Sequence, residues 1–326
     1  MAAPGKGSSS YVRYGYESVF GTTPGDSSLT TYFGHNVKFT ASPTNNIERI
    51  PNLNDRNYSK FAAKKFEGSF TVDFQASNFY ALKGVLGSVS TDGGGPYNHK
   101  YSESATPSGA TIQSSEDLGT DSERTFVGCV FNNYTLNANV GEVVTGRIDG
   151  IYRSESKDST LNTNGNSTDS EDVFTFSHGT FEFPNSTTLA EVQSVELSVN
   201  NNAENLWGLG SRFATNIVHK QRVYEVRVGK IREVDTDLLD DFYGSSTTIT
   251  NPGTPSNVAT LKLTLSNGST GTDLRRLVFE LGNLQVAEYN SPLEPIEAIK
   301  ENGTLYALNL GTASGAVYTN NTASHV

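Results

Sequence analysis

Cysteine is all but missing: Cys129 is the only one in 326 residues. A single thiol forms no intrachain disulfide, and a multi-cysteine metal site is excluded. Charge is scarce as well, at 18% of residues against roughly 25% in an average domain. It leans acidic, with 24 Lys and Arg against 35 Asp and Glu and a net charge of −11. Phosphate neutralisation needs clustered Lys and Arg, so a chain without basic runs is a poor nucleic-acid binder. No apolar run approaches the roughly 18–20 residues of a membrane span, and no membrane insertion of this chain is expected. The opening MAAPGKGSSS lacks the apolar stretch of a signal peptide.

Catalytic signatures are missing too. His35, His99, His178, His219 and His325 fall in no HxH, HExxH or HxxxH spacing. There is no G-x-S-x-G elbow, no P-loop and no G-x-G-x-x-G after a strand. Cys129 sits in an apolar stretch with no basic neighbour to activate it, which makes it a core residue rather than a nucleophile. The single tryptophan speaks against a sugar cleft lined by aromatic platforms, although paired carboxylates for glycoside hydrolysis lie far apart in a chain and leave no local signature. The acidic group Glu233, Asp235, Asp237, Asp240 and Asp241 has the ligand chemistry for a hard cation. It lacks EF-hand spacing, and acidic residues at a helix start also suit the helix dipole. The expectation is therefore a protein that is not an enzyme and takes no cofactor or metal.

Small polar residues take the place of charge: 36 Ser, 35 Thr and 30 Asn, with 31 Gly. Threonine favours strands, while Ser, Asn and Gly favour turns. With 10% aromatics, this composition predicts a mainly β chain of many short strands. Residues 1–34 read as an N-terminal arm, with aromatics at Tyr11, Tyr14, Tyr16 and Phe20, lying on another surface or packed in place. Val37-Lys-Phe39 is a strand signal, and a polar, turn-rich stretch follows from Pro43 to about Tyr58. The run Phe66 to Phe74 alternates apolar and polar residues, as a half-buried strand does. Ser77 is a cap candidate for a short helix, Asn78 to Leu86, ended by Gly87. Residues 90–97 read as a loop. The strongest strand is Thr125 to Leu136, with Gly141 to Tyr152 as its neighbour. Residues 154–171 are almost wholly polar and form a linker.

After the linker the pattern restarts. Strand signals lie at 173–176, 180–183, 195–199, 223–231, 259–265 and 277–281, with a polar loop from Asn200 to about Thr215. A short helix, Asp237 to Tyr243, follows the cap candidates Asp235 and Thr236 and stops at Gly244. A loop carries Pro252 and Pro255. The residues repeat as well as the order. Val37-x-Phe39 matches Val195-x-Leu197, and Lys64-Lys65 matches Gln221-Arg222. Val85-Leu86-Gly87-Ser88 matches Phe242-Tyr243-Gly244-Ser245. Cys129-x-Phe131-x-Asn133-Tyr134-x-Leu136 matches Phe279-x-Leu281-x-Asn283-Leu284-x-Val286. This is the pattern of an internal duplication, with a first domain at 35–153 and a second at 172–326.

Three stretches carry a family resemblance. Gly15-Tyr-Glu-Ser-Val-Phe-Gly21-Thr resembles the GxExxxGT opening of the tail tube (major tail) proteins of tailed bacterial and archaeal viruses. Residues 124–144 resemble that family's first-domain strand pair, and 195–212 the start of its second domain. The resemblance covers about 11–245. It implies two tandem β-sandwich/barrel domains, each with a flanking helix, whose strands join a closed barrel around a channel. For a duplicated chain it implies trimeric, pseudo-hexameric rings that stack into the tube through which DNA is ejected. The implied partners are the chain itself, a tape measure protein in the lumen, the tail terminator and distal tail or baseplate proteins. DNA would pass without specific binding. The location implied is the virion tail, after assembly in the host cytoplasm. Other readings are a type VI secretion tube subunit or another virion component of similar fold, and a β-sandwich glycan-binding surface protein.

Two sets of residues are expected to matter. Leu53, Trp207, Leu209 and Arg212, in the equivalent loops 43–62 and 200–216, are candidates for ring-to-ring contact. Glu142, Asp149, Glu280 and Glu288, polar positions in alternating strands, are candidates for the channel wall, with Arg147 and Arg153 partly offsetting their charge.

Overall fold

A computed structural model describes residues 10–117, 121–159, 170–184, 186–232, 238–243, 258–293, 295, 298–312 and 314–323. Several expectations lie outside the described residues: the first nine residues of the arm, linker residues 160–169, the acidic stretch Glu233 to Asp237 with its caps, and the segment from Gly244 through Pro252 and Pro255. Among the described residues no helix is long and apolar enough to cross a membrane.

The first half runs β1 (Val12–Tyr16), β2 (His35–Thr44), β3 (Ile47–Pro51), β4 (Tyr58–Ala63), β5 (Glu67–Gln75), α1 (Leu82–Leu86), β6 (Gly87–Asp92), β7 (Tyr97–Glu103), β8 (Ala110–Asp117), β9 (Asp121–Asn139), β10 (Thr145–Tyr152) and β11 (Ser154–Asp158). The second half runs β12 (Gly179–Glu182), β13 (Val192–Asn200), β14 (Glu204–Leu206), β15 (Asn216–Val218), β16 (Val223–Ile231), α2 (Leu238–Tyr243), β17 (Val258–Ser266), β18 (Arg276–Asn290), β19 (Lys300–Leu310) and β20 (Ala316–Asn320). The chain is mainly β, as its composition predicts.

One antiparallel sheet forms the spine. Its order begins β2-β5-β10-β9 in the first half and continues β13-β16-β19-β18 in the second. The two halves thus follow one scheme, and they meet where β9 pairs with β13, from Asn139 opposite Ser194 to Asn133 opposite Asn200. They meet again where β20 pairs with β7. Period-two alternation gives the sheet one apolar face: Phe70, Val72 and Phe74 on β5, Ile148 on β10, Val195, Leu197 and Val199 on β13, and Val226 on β16 are all buried. Burying each such side chain contributes about 1.5–3 kcal/mol. On β10 two glycines make room for rings of β5. A Cβ at Gly146 would lie 2.3 Å from the Phe74 ring, and one at Gly150 as close to Phe70.

Several local expectations are corrected. Residues 11–34 do not lie on a foreign surface: β1 pairs with β8, and Tyr14 is fully buried in the chain's own core. The polar loops 43–62 and 200–216 are hairpins, β3–β4 and β14–β15. The stretch 90–97 is the turn of the β6–β7 hairpin. The linker's first residues continue as β11, paired with β9. Helix α1 starts at Leu82, later than Asn78, and Ser77 does not cap it. Its end is as read, at Gly87 with φ +117°. Cys129 is fully buried, and burial pushes its thiol pKa up.

Candidate functional site: a polar face and two strand edges

The face of the sheet opposite the core is polar, and its side chains form rows that cross all eight strands. One row reads Lys38, Asp73, Arg147, Thr135, Ser198, Glu225, Tyr306, Gln285. The next contains Gln75, Thr145, Asn137, Glu196, Arg227, Thr304 and Glu288. Sheets of this many twisted strands curl, and across β9, β13, β16, β19 and β18 the polar face is hollowed. Asn137, Glu196, Arg227, Thr304 and Glu288, from five strands, line one hollow of about 660 Å³.

The charges on this face are clustered. Arg147 reaches Asp149 at 2.8 Å and Asp73 at 3.2 Å. Arg227 reaches Glu225 at 2.7 Å and Glu196 at 3.0 Å. Each cluster sets one guanidinium against two carboxylates and keeps a negative excess. Partial burial works against ionisation of Asp149, but hydrogen bonds from Arg147 and Thr71 outweigh it and hold the carboxyl below its ordinary value. Asp149 and Glu288 stand on this face. Glu142 sits at its end, in the β9–β10 turn, where its carboxylate accepts from Asn139. Glu280 departs from the expectation. It is 4% exposed, with its carboxylate against Gly311, because β18 is covered there on both sides.

The edges of the spine are as informative as its face. Among the described residues β2 pairs with β5 alone. Among the described residues, too, the side of β18 away from β19 is paired with β17 as far as Leu284. Residues 285–290 on that side correspond to the part of β9 that takes β13. The hairpins leave from one end of the sheet. Leu53 is 90% exposed at the tip of β3–β4, and Leu209 is fully exposed on β14–β15. Arg212 and Trp207 are instead engaged within the chain. Arg212 donates to the Lys64 carbonyl at 2.9 Å and to Asn45 Oδ1 at 3.2 Å. Lys65 Nζ lies 4.3 Å from the centre of the Trp207 ring. The arrangement thus brings the two hairpins together but divides their four candidate residues: two tips point outward and two side chains brace the bases. Among the described residues no group of three His, Cys, Asp or Glu is placed to hold a metal.

A family model described as phage tail tube protein matches residues 7–307. The chain belongs to the phage tail tube protein family. No curated protein matches it. Membership makes it a structural component of the virion tail, one that assembles with itself and with other tail components. Within this tail tube protein the GxExxxGT opening has a visible structural role. Glu17 accepts hydrogen bonds from Gly21 N at 2.6 Å, from Gly128 N at 2.7 Å and from the Thr111 hydroxyl at 2.7 Å. Gly21 takes φ +76°, and Arg153 donates to its carbonyl and to that of Ala214. The motif therefore pins the arm to β8, β9 and the base of the second hairpin.

Sequence reasoning missed several elements of this assembly, β8, β19 and β20 among them. β8 carries buried Thr111, Gln113, Ser114 and Ser115 and looks like a loop by composition. β19 hides its period because Tyr306 and Leu308 are apolar on the exposed face as well. β20 is too short to announce itself.

Proposed function

We propose that three copies of this chain close into a ring whose wall is the curled sheet, and that rings stack into the tube through which DNA leaves the virion. The β9–β13 pairing carries the reading. It joins the last spine strand of the first half to the first spine strand of the second, and the edges of β18 and β2 that no described strand covers are the corresponding pair. Head-to-tail addition then repeats an interface the chain already contains, and a heterologous contact that closes leaves neither of these two spine edges exposed. Applying the β9–β13 register to these edges sets Val286 beside Phe39 of the next copy and brings Glu288 toward Lys38. The internal duplication, 35–153 and 172–326, underlies this symmetry. Eight spine strands per chain make a barrel of about 24, wider than the 16–18-stranded porins that already hold an aqueous channel.

The polar face then lines the channel, with Asp149 and Glu288 repeated in every ring. Short Ser, Thr and Asn side chains make few lasting contacts to phosphate. The negative excess repels DNA only within a Debye length, about 8 Å at physiological salt. The wall keeps DNA from sticking and does not drive it. The lumen holds a tape measure protein during assembly in the host cytoplasm, and the tube ends meet the terminator and distal tail or baseplate proteins. The test is electron microscopy of the purified chain. Rings of three chains with pseudo-sixfold outline are expected; rings of six chains, or a lasting monomer, refute the reading.

A further inference from the structure

Exposed apolar side chains gather at the two opposite ends of the spine. At one end the β3–β4 hairpin presents Leu53 at 90% exposure, Phe61 at 75% and Tyr58 at 59%. At the other end, beside the β9–β10 turn, a pocket of about 230 Å³ opens between Val140, Phe176, Phe181, Leu189 and Val192, with Leu263 behind them. Val140 and Phe176 stand half-exposed at its lip. We propose that this pocket receives Leu53 from the β3–β4 hairpin of a second copy in the adjacent ring. The proposal rests on the stacked-ring reading and names the contact that joins one ring to the next.

Two observations select this occupant. A contact between opposite ends of identical chains is heterologous and cannot close along the axis, so it propagates as a stack. The charges also match. Residues 45–65 hold five basic side chains against two acidic ones in a chain of net −11. Arg56 and Lys60 flank the hairpin tip, while Glu191 lines the pocket and Glu142 lies in the adjoining turn. None of these four is in an ion pair among the described residues. The β14–β15 hairpin offers Leu209, but its ionic groups are spent within the chain, Glu204 on Lys220 and Arg212 on the base of β3–β4.

Cysteine cross-linking tests the contact, and the background is clean because the one native thiol, Cys129, is buried. Tubes of the Leu53→Cys, Phe176→Cys double variant are treated with diamide and run on a non-reducing gel. A disulfide needs Cα atoms within about 7 Å. A ladder of linked chains from tubes, absent from dispersed rings, is expected. Phe176→Asp, at an exposed position that does not threaten folding, should leave rings but no tubes. Tubes of normal length without a ladder, a ladder from Leu209→Cys with Phe176→Cys instead, or long tubes from Phe176→Asp would each overturn the proposal. In all three the tube reading itself survives. A wild-type chain that never leaves the monomer refutes that reading separately.

Discussion

Arg222 is the side chain that most directly fixes how the two halves sit together, and its removal has a calculable cost. It projects from the residue before β16 into the end of α1 in the first half. Its guanidinium donates to the carbonyls of Ser104 at 3.1 Å, Leu86 at 3.2 Å and Val85 at 3.4 Å, and to Asn201 Oδ1 at 2.8 Å. The last carbonyls of a helix have no partner within the helix, so these bonds finish α1 from outside. The ion pair with Glu103, at 3.7 Å, adds little because Glu103 is more than a third exposed. A hydrogen bond to a charged group contributes about 1.5–3 kcal/mol, but the four share one guanidinium and do not add. Val85 O keeps Asn201 and Leu86 O keeps the Ser104 amide. Ser104 O and the buried Asn201 Oδ1 lose their partner outright. Arg222→Ala is therefore expected to cost about 2–4 kcal/mol. Arg222→Lys, a point charge that cannot fork, should cost roughly half of that. Urea unfolding of the dispersed chain measures both. Amide exchange should accelerate first around α1 and β6–β7, and tubes should form poorly. An Arg222→Ala chain with an unchanged urea midpoint, unchanged exchange and normal tubes would refute this account of the junction.

Two further outcomes follow from buried polar groups. Glu17→Ala should destabilise by about 2–4 kcal/mol, since it leaves two backbone N–H groups and a hydroxyl without their acceptor; urea titration and protease cleavage of the arm measure it, and an unchanged midpoint contradicts the role given to the motif. His99 is fully buried where β7 meets β20, bonded to Thr91 Oγ1 and Asn320 Oδ1, and burial lowers its pKa from 6.5. The unfolded chain takes up a proton below that pH while the folded chain resists it, so stability falls as pH drops through 6.5, by at most about 1.4 kcal/mol per unit. His99→Asn should flatten this slope, which equilibrium unfolding between pH 7.5 and 5 checks; an equal slope in both chains rules the histidine out.

Much of the fold is written locally. Alternation in Phe66 to Phe74, Thr125 to Leu136, Val195 to Val199 and Val223 to Ile231 marks strands and says which side chains face the core, because the period of a strand is a property of neighbouring residues. Cys129 among apolar neighbours and Gly87 after Leu86 were legible for the same reason. The polar face could be read as a set of outward positions, including Asp149. The rest required the folded chain. The pairing of β9 with β13 and the bond from His99 to Asn320, 221 positions away, follow from which surfaces pack. No local pattern encodes that choice. Glu280 alternates like a wall residue and is nonetheless buried, because later strands cover β18. Trp207 looks like an exposed anchor until Lys65 lies over its ring. A residue's own periodicity determines which way it points, but what lies opposite it depends on segments that close only when the whole core has formed.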